Sequence, residues 1–112
     1  RQQDRRADAV KLYRELAADV RSKEGSAAAY YVLEDTFEKG DMDKTEKAIF
    51  AYSEREPQAY WLAKAFILLG DVYVRKGDNF HARATYQSVA DGYSPADDGI
   101  VAEAKERIAK LN

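Results

Sequence analysis

Cysteine is absent from the 112 residues, and histidine, tryptophan and methionine occur once each. The absence of cysteine excludes disulfides and thiolate metal sites, and it is compatible with either the cytoplasm or the periplasm. No apolar run approaches the roughly 20 residues that span a bilayer, so no transmembrane segment is predicted. The 18 basic and 20 acidic residues are mixed along the chain and leave a net charge of −2. Because this gives no basic surface, no nucleic-acid partner is predicted.

Residues for catalysis are equally scarce. The only histidine, His81, has no cysteine to pair with, and no Gly-x-Ser-x-Gly nucleophile elbow occurs. Gly77-Asp78 lacks the Gly-Lys run of a phosphate-binding loop. The acids Asp41, Asp43 and Glu46 lack the pattern of a calcium-binding loop, and helix capping explains them better. We therefore predict no enzyme activity, no cofactor and no metal.

Apolar residues recur at steps of three and four, and this spacing predicts helices throughout the chain. The clearest helix pair lies between Tyr60 and Tyr93, around the turn Lys76-Gly77-Asp78. Gly70 lies among large residues of its first helix, so the two backbones can approach closely there. The residues predicted to face inward in this pair are Phe66, Leu69, Tyr73, Val74, Phe80, Ala82, Tyr86 and Val89.

Capping and turn residues divide the chain into six predicted helices and no strands. Gly25 is interpreted as the left-handed end of the first helix and Ser26 as the N-cap of the second. Asp43 and Glu46 are interpreted as the start of the third helix, and Pro57 as a first-turn residue of the fourth. The predicted bounds are about 3–23, 27–39, 43–56, 57–76, 79–92 and 94–111.

One turn sequence occurs twice. Lys39-Gly40-Asp41 recurs as Lys76-Gly77-Asp78, a shift of 37 residues from Gly40 to Gly77. With the same shift, Ile49 corresponds to Tyr86, so the apolar positions beside the two turns also correspond. A repeat period of this size is typical of helix pairs that stack into an array, because one pair alone cannot bury its apolar face.

The second repeat resembles the tetratricopeptide repeat (TPR), a helix pair of about 34 residues. It departs from the family pattern at Val89, which replaces a small residue, and at Pro95, which comes one place late. The first repeat is a weaker match, although it keeps Gly40-Asp41 and Pro57. The matching residues of the second repeat are Phe66, Leu69-Gly70, Tyr73, Gly77-Asp78, Ala82 and Tyr86; those at the opening positions of the first are Ala29, Val32-Leu33 and Thr36.

This resemblance implies an all-α fold in which antiparallel helix pairs stack as a right-handed superhelix. The chain is then a single TPR-like domain, 1–112, with a half unit at 1–24, units at 26–57 and 58–94, and a capping helix at 95–112. The stretch from Tyr60 to Gly70, followed by Gly77-Asp78, is more narrowly similar to long bacterial repeat arrays of the cell envelope. That likeness implies a bacterial, periplasmic protein, with the cytoplasm as the alternative.

The resemblance also implies a concave face that binds a peptide or a partner protein. As an alternative, Tyr30 and Ile67 pack between repeats, while Asp71 and Arg75 pair on a solvated face. The chain would then be a structural spacer or a self-associating repeat segment without a ligand in the groove. The residues placed on the concave face are Tyr30, Glu34, Lys64, Ile67, Asp71, Arg75, Glu103 and Glu106.

The two ends of the chain are predicted to differ. The first helix lacks an earlier partner for its apolar stripe, so we expect more repeats before Arg1 and self-association of the isolated chain through this helix. The last helix has a charged outer face, which is typical of a cap. The stripe of the first helix is Val10, Tyr13, Leu16 and Val20; the last helix has Ile100, Val101, Ala104, Ile108 and Leu111 inward and Glu103, Lys105, Glu106, Arg107 and Lys110 outward.

Overall fold

The computed structural model describes residues 9, 11, 19–95 and 97–111. Within these residues the chain is all-α and has no strand, as predicted, and it has five of the six predicted helices. The helices are α1 (Lys23–Glu38), α2 (Met42–Glu54), α3 (Ala59–Arg75), α4 (Asn79–Gly92) and α5 (Ile100–Ala109).

Most of the predicted first helix, including Val10, Tyr13 and Leu16, lies outside the described residues. Self-association through that helix therefore stays a prediction. Val20, the one residue of its apolar stripe that is described, is buried.

The residues up to Leu62 and those from Ala63 onward form two compact units. In the first unit, α1 packs against α2. In the second, α4 packs against α5, and the ring of Tyr86 lies against Gly70 of α3. Gly70 therefore makes room for the Tyr86 ring, while the predicted close approach of the two backbones stays a prediction.

The two Lys-Gly-Asp turns have the same backbone geometry. Gly40 and Gly77 are both left-handed, with φ values of 90° and 79°. Each following aspartate is an N-cap: Asp41 accepts a hydrogen bond from the amide of Lys44, and Asp78 accepts one from that of His81, each at 3.0 Å. This hydrogen bond lowers the pKa of the Asp78 carboxyl. The prediction of Asp43 as the cap of α2 is wrong, because Asp43 already lies within the first turn.

Burial repeats along with the turns. At the 37-residue shift, three buried residues of α2 correspond to three buried residues of α4. A fourth correspondence joins α1 to α3, where Tyr30 and Ile67 are both buried. The repeat is therefore one of packing as well as of sequence. The three pairs on α2 and α4 are Thr45 with Ala82, Ile49 with Tyr86, and Tyr52 with Val89.

The start of α1 differs from the prediction. Ser22 is the N-cap, since its Oγ accepts a hydrogen bond from the amide of Gly25 at 2.9 Å. Gly25 thus lies in the first turn and does not end a preceding helix. Its side of the helix is crowded, because a Cβ there would lie 2.5 Å from the carbonyl carbon of Asp19. Glycine is needed at this position for a close approach and not for a left-handed φ.

Ser26, predicted as a cap, is instead a buried bridge between segments of the first unit. Its Oγ donates to the carbonyl of Val20 at 2.5 Å and accepts a hydrogen bond from the amide of Gln58 at 2.9 Å. Its own carbonyl accepts from the hydroxyl of Tyr52 at 2.8 Å. The Ser26 side chain therefore connects the segment before α1 to the segment before α3, and the Ser26 backbone carbonyl holds the end of α2.

The predicted starts of two further helices are wrong. Pro57 precedes α3 and does not lie in its first turn, since the amide of Leu62 donates to the carbonyl of Gln58. The last helix begins at Ile100, after the left-handed Gly99, and not near Ser94. The carboxylate of Asp98 accepts a hydrogen bond from the amide of Ile100 at 3.1 Å, which fixes the later start.

Several residues predicted to face inward are exposed. Phe80 is the extreme case, with 71% of its surface exposed. It precedes the buried Ala82 by two positions, which is roughly 200° around a helix of 3.6 residues per turn, so it projects from the opposite face. Val74 is also exposed, and Tyr73 is half-buried.

Gly77→Ala is expected to lower the free energy of unfolding by roughly 1–2 kcal/mol, because an L side chain is strained at a φ of 79°. There is space for the new methyl group, since nothing lies within 4 Å of a Cβ at this position. The loss would therefore report backbone strain alone. Urea denaturation measures it, and a variant as stable as the parent would show that Gly77 is not held in the left-handed region.

Candidate functional site

Two residues predicted to line the concave face are interior. Tyr30 is 6% exposed and Ile67 is 2% exposed. They occupy the same position of the repeat, so their burial is a property of that position. This favours the packing role that the sequence left open for both residues.

Three other predicted residues come together in the second unit, where they form ion pairs. Asp71 and Lys64 project from α3, and Glu103 projects from α5. Arg107 of α5 joins them, with its Nε 3.1 Å from Oδ1 of Asp71 and a terminal nitrogen 3.6 Å from Oε1 of Glu103. Lys64 Nζ lies 3.8 Å from Oε2 of Glu103. These half-buried charges alternate in sign and connect α3 to α5.

Arg107 and Glu103 were predicted to belong to the charged outer face of the last helix, and this is wrong. Both side chains are about two-thirds covered, with exposed fractions of 33% and 32%. Glu103 lies one position before the buried Ala104, and Arg107 lies three positions after it. Both are therefore at the edge of the inward stripe. Their positions beside the inward stripe could have indicated that they contact α3. The side chains of Lys105, Glu106 and Lys110 are exposed as predicted.

A buried tyrosine completes this cluster. The hydroxyl of Tyr86 donates to the carboxylate of Asp71, so Asp71 links α4 to α5. Burial raises the pKa of Tyr86 well above its ordinary value, and the neighbouring Asp71 raises it further. Burial alone would lower the pKa of Arg107, but the hydrogen bond and charge of Asp71 outweigh it and raise that pKa. Near neutral pH the Tyr86 hydroxyl is therefore protonated and the Arg107 guanidinium is charged.

Helical structure is expected to be lost at high pH. Burial raises the pKa of Tyr52 to about 12, although its hydrogen bond to Ser26 and the charge of Arg55 oppose the shift. An unfolded tyrosine releases its proton near pH 10. The stabilising contribution of the neutral hydroxyl is therefore complete below about pH 10 and is lost as the pH rises through about 12.

Parallel titrations of circular dichroism and tyrosinate absorbance test this pH dependence. Tyr52→Phe should weaken the dependence. The expectation fails if all the tyrosines ionise near pH 10 while the helical signal stays constant.

The remaining predicted groove residues are more accessible. Arg75 is exposed, and Glu34 is half-buried, with one Oε atom 3.4 Å from the hydroxyl of Tyr30. Glu106 is exposed and forms an ion pair with Lys110 at 3.2 Å. In the first unit, the ring of Trp61 contacts those of Tyr30, Tyr31 and Tyr60, at centroid distances of 5.1–5.7 Å.

The single histidine lies at the surface. Its Nδ1 is 2.6 Å from a carboxylate oxygen of Asp78, and 66% of its side chain is exposed. Among the described residues, no group of three acids or histidines is placed to hold a metal ion. Over the same residues, no helix has the length and apolar character needed to cross a membrane.

In the second unit, the polar side chains of Lys64, Asp71, Glu103 and Arg107 pair with one another. Glu34 of the first unit is half-buried and Arg75 of the second unit is exposed. Neither set of residues holds a nucleophile next to a general base. Comparison of the chain with protein-family models, with curated proteins and with solved structures finds no significant match.

Proposed function

We propose that the chain is a non-catalytic, protein-binding segment of a TPR-like array, in which helix pairs stack as a right-handed superhelix. The observation that carries this proposal is the pair of matching turns, with left-handed glycines at 40 and 77 and N-capping aspartates at 41 and 78. Repeated helix pairs with repeated burial are typical of arrays that use an extended face to bind proteins.

The paired charges favour one class of partner. Lys64 and Arg107 are already matched by Glu103 and Asp71, so this cluster has little net charge to attract a polyanion. A peptide with mixed polar and apolar side chains suits such a surface, because hydrogen bonds and burial, rather than net charge, would bind it. Glu34 and Arg75, one acidic and one basic, are the proposed first contacts.

A structural spacer is the second candidate, and the burial of Tyr30 and Ile67 favours it. These are the largest apolar residues predicted for the concave face. With both in the interior, a ligand there has mainly polar side chains to contact. A spacer needs only the packing of its repeats and no ligand.

Site-specific photo-crosslinking separates the two functions. A photoreactive amino acid is placed at Arg75 or Glu34, and as a control at Lys47, an exposed residue of α2. The variants are irradiated in an extract of the source cells. A binding scaffold predicts crosslinks to the same partner polypeptide from Arg75 and Glu34, and none from Lys47. A spacer predicts no partner-specific product from any of the three positions.

A further inference from the structure

Phe80 is the most exposed large hydrophobic residue in the described part of the chain. It lies in the first turn of α4, on the side opposite to the buried Ala82 and Tyr86. Its ring contacts that of His81 at a centroid distance of 5.3 Å, and the side chain of His81 is also exposed. A single exposed hydrophobic side chain is common on protein surfaces, so a site here is indicated only by what surrounds Phe80.

A shallow groove of about 580 Å³ lies beside this ring. Its lining residues follow the helical steps of three, four and seven from Phe80, so they share one side of α4. We name this surface the Phe80 face, and its residues are Phe80, Arg83, Ala84 and Gln87.

Arg83 adds a positive charge to the Phe80 face. Its guanidinium donates to the carbonyl of Leu111 at 3.5 Å, the upper limit of a hydrogen bond. In the part of the chain that the structure describes, no carboxylate forms a salt bridge with Arg83. Gln87 is turned toward Asp91, to which its amide donates at 2.9 Å. The face therefore combines an open apolar surface with a cation that lacks a described anionic partner.

The first repeat supplies an internal comparison. At the 37-residue shift, Phe80 corresponds to Asp43, Arg83 to Glu46 and Ala84 to Lys47. Charged residues thus occupy in α2 the positions that are apolar or basic in α4. Since the two turns and the buried positions are otherwise matched, packing of the repeat does not require an apolar residue at position 80.

We propose that the Phe80 face docks a peptide segment that carries a carboxylate next to a large apolar side chain. The apolar side chain would cover Phe80 and Ala84, and the carboxylate would pair with the guanidinium of Arg83, which suits bidentate binding. This site is separate from the concave face and does not depend on the function proposed for it. A second copy of the chain is a poorer occupant, because four residues of one helix offer far less than the roughly 800 Å² per partner of a stable interface.

Selection from a phage-displayed library of random peptides tests the proposal. Peptides enriched on the parent protein should share an acidic residue close to an aromatic or aliphatic one. Their affinity should fall about tenfold or more in Phe80→Asp, which installs the residue of the first repeat, and in Arg83→Glu. Phe50→Asp is the matched control, since Phe50 is also exposed, and it should leave the affinity unchanged. Circular dichroism checks that each variant is folded.

Reversal of the charge at position 83 provides a second test. Selection on Arg83→Glu should enrich basic peptides in place of acidic ones. The proposal is overturned if the library yields no enriched peptides, or if the enriched peptides bind Phe80→Asp as tightly as the parent. It is also overturned if the parent forms dimers that Phe80→Asp dissociates, since a second copy would then occupy the face.

Discussion

Gly70→Leu is expected to lower the free energy of unfolding by roughly 1–3 kcal/mol through overpacking. Even a Cβ at this position would lie 2.6 Å from Cδ1 of Tyr86 and closer still to Cε1. The ring cannot move aside easily, because it is 1% exposed and its hydroxyl is bound to the carboxylate of Asp71. Urea denaturation followed by circular dichroism measures the loss.

Gly92→Leu is the matched control for this substitution. Gly92 also lies on a helix of the second unit, but nothing lies within 4 Å of a Cβ built there. Leucine at 92 should therefore change the stability little. Equal midpoints for the parent and Gly70→Leu would contradict the tight contact between Gly70 and the Tyr86 ring.

Ser26→Ala is expected to lower the free energy of unfolding by about 1–3 kcal/mol, because it leaves buried polar groups without their partner. The amide of Gln58 would lose its acceptor and the carbonyl of Val20 its donor. The peptide carbonyl of residue 26 still accepts from Tyr52, so the end of α2 keeps its contact. The loss of structural protection should be largest in the segment before α3, which contains Gln58.

Hydrogen exchange and denaturation together check this expectation. The amide of Gln58 should exchange faster in Ser26→Ala, and the unfolding midpoint should fall. Ser88→Ala provides the control, because its hydroxyl is exposed and bonds only within its own helix at 2.7 Å. If Ser26→Ala were as stable as Ser88→Ala, the buried bridge would contribute nothing measurable.

The turns could be predicted from sequence because their determinants are local. A left-handed glycine followed by a capping aspartate depends on a few adjacent residues, and the repetition at 40 and 77 reinforces the pattern. The start of α1 could not be assigned in this way. Ser22 and Ser26 are both good capping residues, and the contacts that distinguish Ser26 come from Tyr52 and Gln58, which are 26 and 32 residues away.

The candidate site was only partly predictable for the same reason. Lys64, Asp71 and Glu103 were selected, and the structure brings them together. Arg107 was assigned to the outer face, since a charged residue on a terminal helix usually lies in solvent. Helical periodicity predicts the side of a helix on which a residue lies. It does not show whether a long side chain reaches back to an acid on another helix.

The binding affinity of the partner recovered by crosslinking tests the central claim most directly. Calorimetric titration would compare the parent with Arg75→Glu, on the proposed binding face, and with Lys47→Glu, the same charge reversal on an exposed residue of α2. A protein-binding concave face predicts at least about tenfold weaker binding for Arg75→Glu, a difference of roughly 1.4 kcal/mol, and no change for Lys47→Glu. Equal affinities for all three proteins would contradict a partner site on the first helices of the repeats.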